Sequence, residues 1–125
     1  MSYEPIEEKR VYLRAEQVAD EIWEIVVSWE EFARRNVGGQ LVRAADSIGA
    51  NIAEAGGRFH PNDVKNFLYH SRGSLRETKF FLRRALQRHL IATEVFQRLN
   101  DELENLSKDL NGQIRHQKER AQQQS

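Results

Sequence analysis

Between Arg43 and Glu77 the chain sets polar residues at helical spacing inside a run that is otherwise small or apolar. Ser47, Asn51 and Glu54 follow one another at steps of four and three, Arg43 and Arg58 extend the same row, and Gly73, Ser74 and Glu77 share a face farther along. Such steps bring side chains onto one strip of a helix. Glu54 and Glu77 form a candidate carboxylate pair, but a di-metal bundle uses four carboxylates with inward Glu-x-x-His motifs. The histidines, His60, His70, His89 and His116, are scattered and make neither Glu-x-x-His nor His-x-x-x-His. Ser47, Ser71 and Ser74 lie mid-helix, with no nucleophile elbow and no histidine at a useful step, so nucleophilic catalysis is not supported. No glycine-rich loop follows a strand to cradle phosphate, and Gly56-Gly57 reads as a helix stop. The expectation is a protein that is not an enzyme and has neither cofactor nor metal.

Two other readings of these residues carry more weight. If the two polar rows face each other, they make a hydrogen-bonded seam that sets register and oligomer number; a ligand-binding role is the alternative. Beside them runs a basic stripe of Lys65, Arg72, Arg76, Lys79 and Arg83, with His70, Arg84 and Arg88 nearby. Repeated around a ring, such a stripe would bind nucleic acid cooperatively and with strong salt dependence. Tyr69, Phe80 and Phe81 either stack on bases or pack between helices. The bland alternative is that the stripe pairs with the acidic start of the chain. Met1 to Asn36 holds nine acidic against five basic residues, whereas Arg58 to Leu90 holds eight basic against two acidic ones, inside a chain of zero formal net charge.

Four helices are expected to position these residues. The first covers about Glu7 to Arg35, with Val11, Val18, Ile22, Ile25, Val26, Trp29, Phe32 and Ala33 in one apolar stripe and Trp23 near its edge. Asn36-Val37-Gly38-Gly39 is read as its stop, with a glycine in the left-handed conformation. The second, about Gln40 to Ala55, presents Leu41, Ala45, Ile48 and Ile52 to the core. Its Ala45, Gly49 and Ala53 allow a neighbouring backbone to come close. Its only charges, Arg43, Asp46 and Glu54, are so few that burial on more than one side is expected, in an interior position or a subunit interface.

The third helix runs from Pro61 to about His89, with His60 or Asn62 as its cap. Its core face is Val64, Phe67, Leu68, Ser71, Leu75, Thr78, Leu82, Ala85 and Leu86. Phe80 and Phe81 are adjacent and cannot enter the same core, so one aromatic ring is left for something outside. The fourth, about residues 94–116 with Thr93 as N-cap, carries Val95, Phe96, Leu99, Leu103, Leu106, Leu110 and Ile114 in a near-heptad row. Gln117 to Ser125 reads as a polar, disordered tail, and Met1 to about Glu8 as a loose lead-in. Short connections make an all-α, up-down-up-down antiparallel bundle, one domain over residues 1–116.

Composition agrees with this class and narrows the setting. The chain has 125 residues, 30% of them charged, with two prolines and no cysteine, which excludes disulfides and thiolate metal sites. The charged start MSYEPIEEKR has no apolar core of a secretory signal, and no run approaches the roughly 20 apolar residues of a membrane span. A cytoplasmic location is expected.

RAADSIGANIAEAGGR, Arg43 to Arg58, together with FLYHSRGSLRET, Phe67 to Thr78, resembles a bacterial family known as the four helix bundle proteins or 23S rRNA-intervening sequence proteins. The matching positions are Ser47, Ile48, Asn51 to Glu54, Arg58, Gly73, Ser74 and Glu77. Ala55 stands where the family usually has glycine, and Ser71 and Arg72 replace small apolar positions. The resemblance implies a homopentameric four-helix bundle whose genes lie in rRNA intervening sequences. It also implies distant kinship to pentameric accessory proteins of retroelements, which bind a reverse transcriptase and RNA. The favoured function is a homo-oligomeric scaffold for RNA or a ribonucleoprotein. The alternatives are a protein-binding adaptor, including a reverse-transcriptase accessory, and a small-molecule or metal-binding bundle.

Overall fold

The computed structural model describes residues 6–124, with side chains from Lys9 onward. Most of the expected lead-in, Met1–Pro5, and the terminal Ser125 lie outside the described residues. Helix α1, Ile6–Val27, already contains Ile6 to Glu8. It buries Val11, Ala15, Val18, Ala19, Ile22 and Val26 in one strip, as three- and four-residue steps require.

The first departure from expectation comes where α1 ends. It stops at Val27, not near Arg35: Ser28 donates its hydroxyl to Ile25 O at 2.6 Å, and buried Trp29 turns the chain inward. Glu30, extended at φ −65° and ψ 160°, accepts from Ala33 N at 3.1 Å and caps the next helical segment. That segment is a single turn, Glu31–Ala33, then a π-helical stretch, Arg34–Gly38, running directly into α2, Gly39–Gly56. Asn36 to Gly39 therefore continues a helix instead of ending one, and Phe32, expected in the core stripe, is 73% exposed beyond the break. Gly38 is right-handed, φ −59° and ψ −47°, so its freedom to adopt positive φ is not what it supplies. A Cβ there would lie 2.7 Å from Val26 Cγ1 and 3.1 Å from Ala33 O. The glycine lets this segment cross the end of α1 closely.

Helix α3 spans Pro61–Gln87, with Pro61 at its first position and His60 at the cap, though His60 makes no side-chain capping bond. Its end is a Schellman motif: Leu90 N bonds Ala85 O at 2.9 Å and His89 N bonds Leu86 O at 3.0 Å, with His89 at φ 60°. This places the stop at Gln87 and leaves His89 outside the helix. Helix α4, Thr93–Gln123, has Ala92 and not Thr93 at the N-cap position, with no side-chain capping bond. Its row of Leu99, Leu103, Leu106, Leu110 and Ile114 is buried throughout. The tail expected to be disordered from Gln117 is helical to Gln123, and Gln117 is only 1% exposed. The heptad row continues one step past Ile114 with a polar residue in the buried position, which is why composition hid it.

All described secondary structure is helical, and the four long helices form a bundle. Each long helix packs on its chain neighbours and α1 closes against α4, while α1 and α3, like α2 and α4, lie across the diagonals, with no Cα atoms within 8 Å of each other. The core faces expected for α2 and α3 are buried, with Phe67 and Leu86 only partly so. Among the described residues no helix is long and apolar enough to cross a membrane.

Candidate functional site

The polar row of α2 points along the α2–α3 side of the bundle and out toward solvent. It does not make the expected hydrogen bonds to α3. Ser47 Oγ donates to Arg43 O at 2.8 Å and Asn51 Nδ2 donates to Ser47 O at 2.9 Å, both within α2. Glu54 pairs with Arg58 at 2.7 Å, and the Arg58 guanidinium lies 4.7 Å above the Phe67 ring. Side chains four residues ahead of a free carbonyl lone pair bond their own helix readily, which removes their need for a partner across the groove. On α3, Ser74 O accepts from Thr78 Oγ1 at 2.8 Å, while Gly73 and Glu77 are exposed. The hydrogen bond that does join the two helices is Ser71 Oγ to Ile48 O, 2.8 Å and fully buried. The substitution of a small apolar position by Ser71 is thus resolved by a satisfied hydroxyl.

The basic stripe divides into two sets. Arg72 Nη1 donates to Asn111 Oδ1 at 3.0 Å, with its guanidinium 4.9 Å from the Tyr69 ring, and Lys79 is paired with Glu104. Both acceptors lie on α4, not on the acidic first helix, because α1 sits diagonally opposite α3. Burial lowers the Lys79 ammonium below its ordinary value even beside Glu104. Lys65, Arg76 and Arg83 have no partner among the described residues; Lys65 is half-buried and the two arginines are exposed. Phe80, on the same outward row as Arg76 and Arg83, is 58% exposed, whereas Phe81 is half-buried and packs against the core. The two rings meet edge-on at 5.0 Å.

Ion pairs also join α1 to α4, through one acidic and two basic residues of α1. Glu21 pairs with Arg98, which also reaches Glu102 at 3.6 Å, and Arg14 and Arg10 meet Asp109. Burial, then the neighbouring Glu21, raises the Glu102 carboxyl. Sequence reasoning missed these α4 residues. A usable signal was present: Arg72 and Lys79 on α3, and Glu104 and Asn111 on α4, are each seven residues apart, so two antiparallel helices in register bring both pairs together. It also missed Asp46, whose carboxyl is raised by burial and by Asp20 across the α1–α2 groove. Among the described residues no three His, Cys, Asp or Glu side chains converge as metal ligands do.

Taken together, the geometry defines a helical bundle with ion-paired edges on α4 and a free, aromatic-bearing basic row on the outside of α3. The family model for 23S rRNA-intervening sequence proteins matches residues 7–112, and the chain belongs to that family. Its fold is similar to the crystal structure of a protein of unknown function from the S23 ribosomal protein family of Bacteroides thetaiotaomicron. That likeness has a TM-score of 0.79 at 22% identity, and covers 88% of this chain and 99% of the other. No curated protein matches the chain. Neither the family description nor the structural relative names a reaction.

Proposed function

We propose that this chain is a non-enzymatic cytoplasmic scaffold that self-associates and holds RNA along the outward row of α3. The observation that carries the reading is the division of the basic stripe. Two of its cations are engaged by α4, while Arg76 and Arg83, one turn either side of an exposed phenylalanine, have no partner among the described residues. Cations that grip phosphate beside a ring that stacks on a base make a sequence-tolerant single-strand contact. The family name adds an association with rRNA genes. Fluorescence anisotropy with a labelled single-stranded RNA tests this. Affinity should fall steeply with salt, and Arg76→Glu with Arg83→Glu should weaken binding at least tenfold and flatten the salt slope by about 1.4 for two lost phosphate contacts. No binding at low salt, or equal binding by the double variant, removes the RNA reading.

A second reading concerns the homo-oligomer, a pentamer by family resemblance. It is favoured by Gly73, which is exposed on the outer side of α3 and whose Cβ would meet nothing within 4 Å. A helix-interior glycine with no neighbour in its own subunit is accounted for by the close approach of another chain. Light scattering on a sizing column should give a mass several times 14.6 kDa; a monomer at tens of micromolar would sink it.

A further inference from the structure

The outer side of α1 carries large apolar side chains that no part of the chain covers. Leu13 is 58% exposed, Trp23 53% and Val27 43%, and the last two are one turn apart. Glu16 and Asp20 lie between Leu13 and Trp23 at steps of three and four, so all five residues share one side of the helix. Neither acid has a cation partner among the described residues. The Tyr12 hydroxyl donates to Glu16 at 2.9 Å, and the groove beside Asp20 holds a further carboxylate, Asp46. An exposed apolar patch rimmed by charge of one sign marks contact with another macromolecule.

Helix α3 carries the complement. Opposite its buried face run Tyr69, Gly73, Arg76, Phe80 and Arg83, all exposed except the half-buried tyrosine. Both rows bear an exposed aromatic ring, and their charges are of opposite sign. From Leu13 to Val27 the α1 row advances by three, four, three and four residues. The α3 row shows the same steps when read backwards from Arg83 to Tyr69. Two antiparallel helices in that register set Asp20 at Arg76, Trp23 over Gly73 and Val27 on Tyr69, with Leu13 and Glu16 beside Arg83 and Phe80. The space beyond Gly73, where a Cβ would meet nothing within 4 Å, is what an indole ring needs to lie against the backbone. Because α1 and α3 stand at diagonal corners of the bundle, their outer rows face away from each other. One chain cannot bring them together, so a second copy must supply the partner row.

We propose that the acidic, Trp23-bearing row of α1 in one copy packs antiparallel on the basic, Phe80-bearing row of α3 in the next. The contact is head-to-tail, since it joins different surfaces of the two copies, and it repeats into a ring or a filament instead of stopping at a dimer. Opposite charges fix its register, and the buried aromatic groups supply most of its affinity. The proposal rests on the self-association reading and gives it an interface. It also sets the two uses of α3 against each other: the carboxylates of a neighbouring α1 take the place of phosphates, so RNA reaches the row only where that α1 has left it.

Light scattering on a sizing column, with the full chain at tens of micromolar, tests the contact by charge reversal. Glu16→Lys with Asp20→Lys reverses the α1 row, and Arg76→Glu with Arg83→Glu reverses the α3 row. Each pair should weaken association at least tenfold and shift the protein toward the 14.6 kDa monomer. Circular dichroism should show both folded, since all four positions are exposed. An equimolar mixture of the two should regain the parent's mass, because every row then meets one of opposite sign. Trp23→Ala leaves all charges in place and should also weaken association about tenfold, as removal of an aromatic anchor does. A monomeric parent removes self-association altogether. An assembled parent whose reversed forms assemble equally, or are not rescued by mixing, overturns this interface and leaves self-association standing. Single-stranded oligouridylate at low salt should lower the assembled mass. Oligouridylate carried by an undiminished assembly would show the α3 row open and overturn the contact.

Discussion

Gly38 and Gly73 both sit within helical segments, and their surroundings are opposite. At the crossing of α1 over the start of α2, Gly38 is buried and a methyl group would collide with Val26 and with the Ala33 carbonyl. On the outward side of α2 and α3, Gly73 is exposed and a methyl group would touch nothing. The short polar side chains divide in the same way. Ser71 reaches across to Ile48 O in the core, whereas Ser47 and Asn51 bond the helix they belong to. One region is closed and specified by contacts within the chain. The other is locally satisfied, rich in small and polar groups, and left open. A glycine costs a helix about 0.5–1 kcal/mol relative to alanine. At Gly38 close packing against Val26 offsets that cost. At Gly73 no contact among the described residues offsets it.

The sharpest way to break this contrast is Gly38→Val. The β-branched side chain cannot rotate out of the Val26 contact, so overpacking should cost about 2–3 kcal/mol, seen as a lower urea midpoint at unchanged slope. A cost under about 0.5 kcal/mol, the range of ordinary surface changes, would show that the crossing is loose and that Gly38 has no steric role. Next in size is the pair of serines. Ser71→Ala removes the hydroxyl that joins α3 to α2 and should cost about 1 kcal/mol, while Ser47→Ala, which loses only a bond to its own helix, should be close to neutral. Equal effects at the two positions would remove the distinction between the regions.

Much of the bundle was legible because its core follows simple periods. The inward faces of α2 and α3 are those that three- and four-residue steps select, and Leu99 to Ile114 is a row any reader of heptads would find. What misled was chemistry shared by two physical causes. Gly38-Gly39 carries the composition of a helix stop, and only the proximity of Val26 reveals that the glycine was needed for space. Gln117 belongs to a glutamine-rich end, yet it occupies the next buried position of α4. Which helix neutralises the basic stripe depends on which helices are diagonal, and segment charge cannot say that. Glu104 and Asn111 could have said it through their seven-residue spacing against Arg72 and Lys79. The free cations beside Phe80 emerge only after those pairs are subtracted.

Gly73→Ala gives the third test, and it separates the two regions by sign. In the isolated subunit it should add about 0.5–1 kcal/mol of stability, because alanine is the better helix former and has room. If the outward face is the contact between copies, the same methyl group should reduce the assembled mass on a sizing column while the subunit itself unfolds later. A variant more stable and equally assembled would place the contact elsewhere on the molecule.

The smallest effect is expected at Asp46, on the α1–α2 side. Burial first, and Asp20 second, raise its carboxyl above the ordinary value, so the folded chain holds that proton more tightly than the unfolded chain does. Its contribution therefore favours folding most at low pH and declines as pH rises from the unfolded carboxylate range, about 4, through the raised folded value. Asp46→Asn removes the ionisation and should leave the protein slightly more stable than the parent at pH 7, with the difference shrinking toward pH 4. The gain is small because Asp46 is an exposed residue on the groove that also holds Glu16, and water screens it. Urea midpoints of both proteins at the two pH values measure it. A variant weaker than the parent at pH 7 would mean that the Asp46 carboxylate makes a favourable contact when charged, and that a polar interaction helps hold α1 against α2.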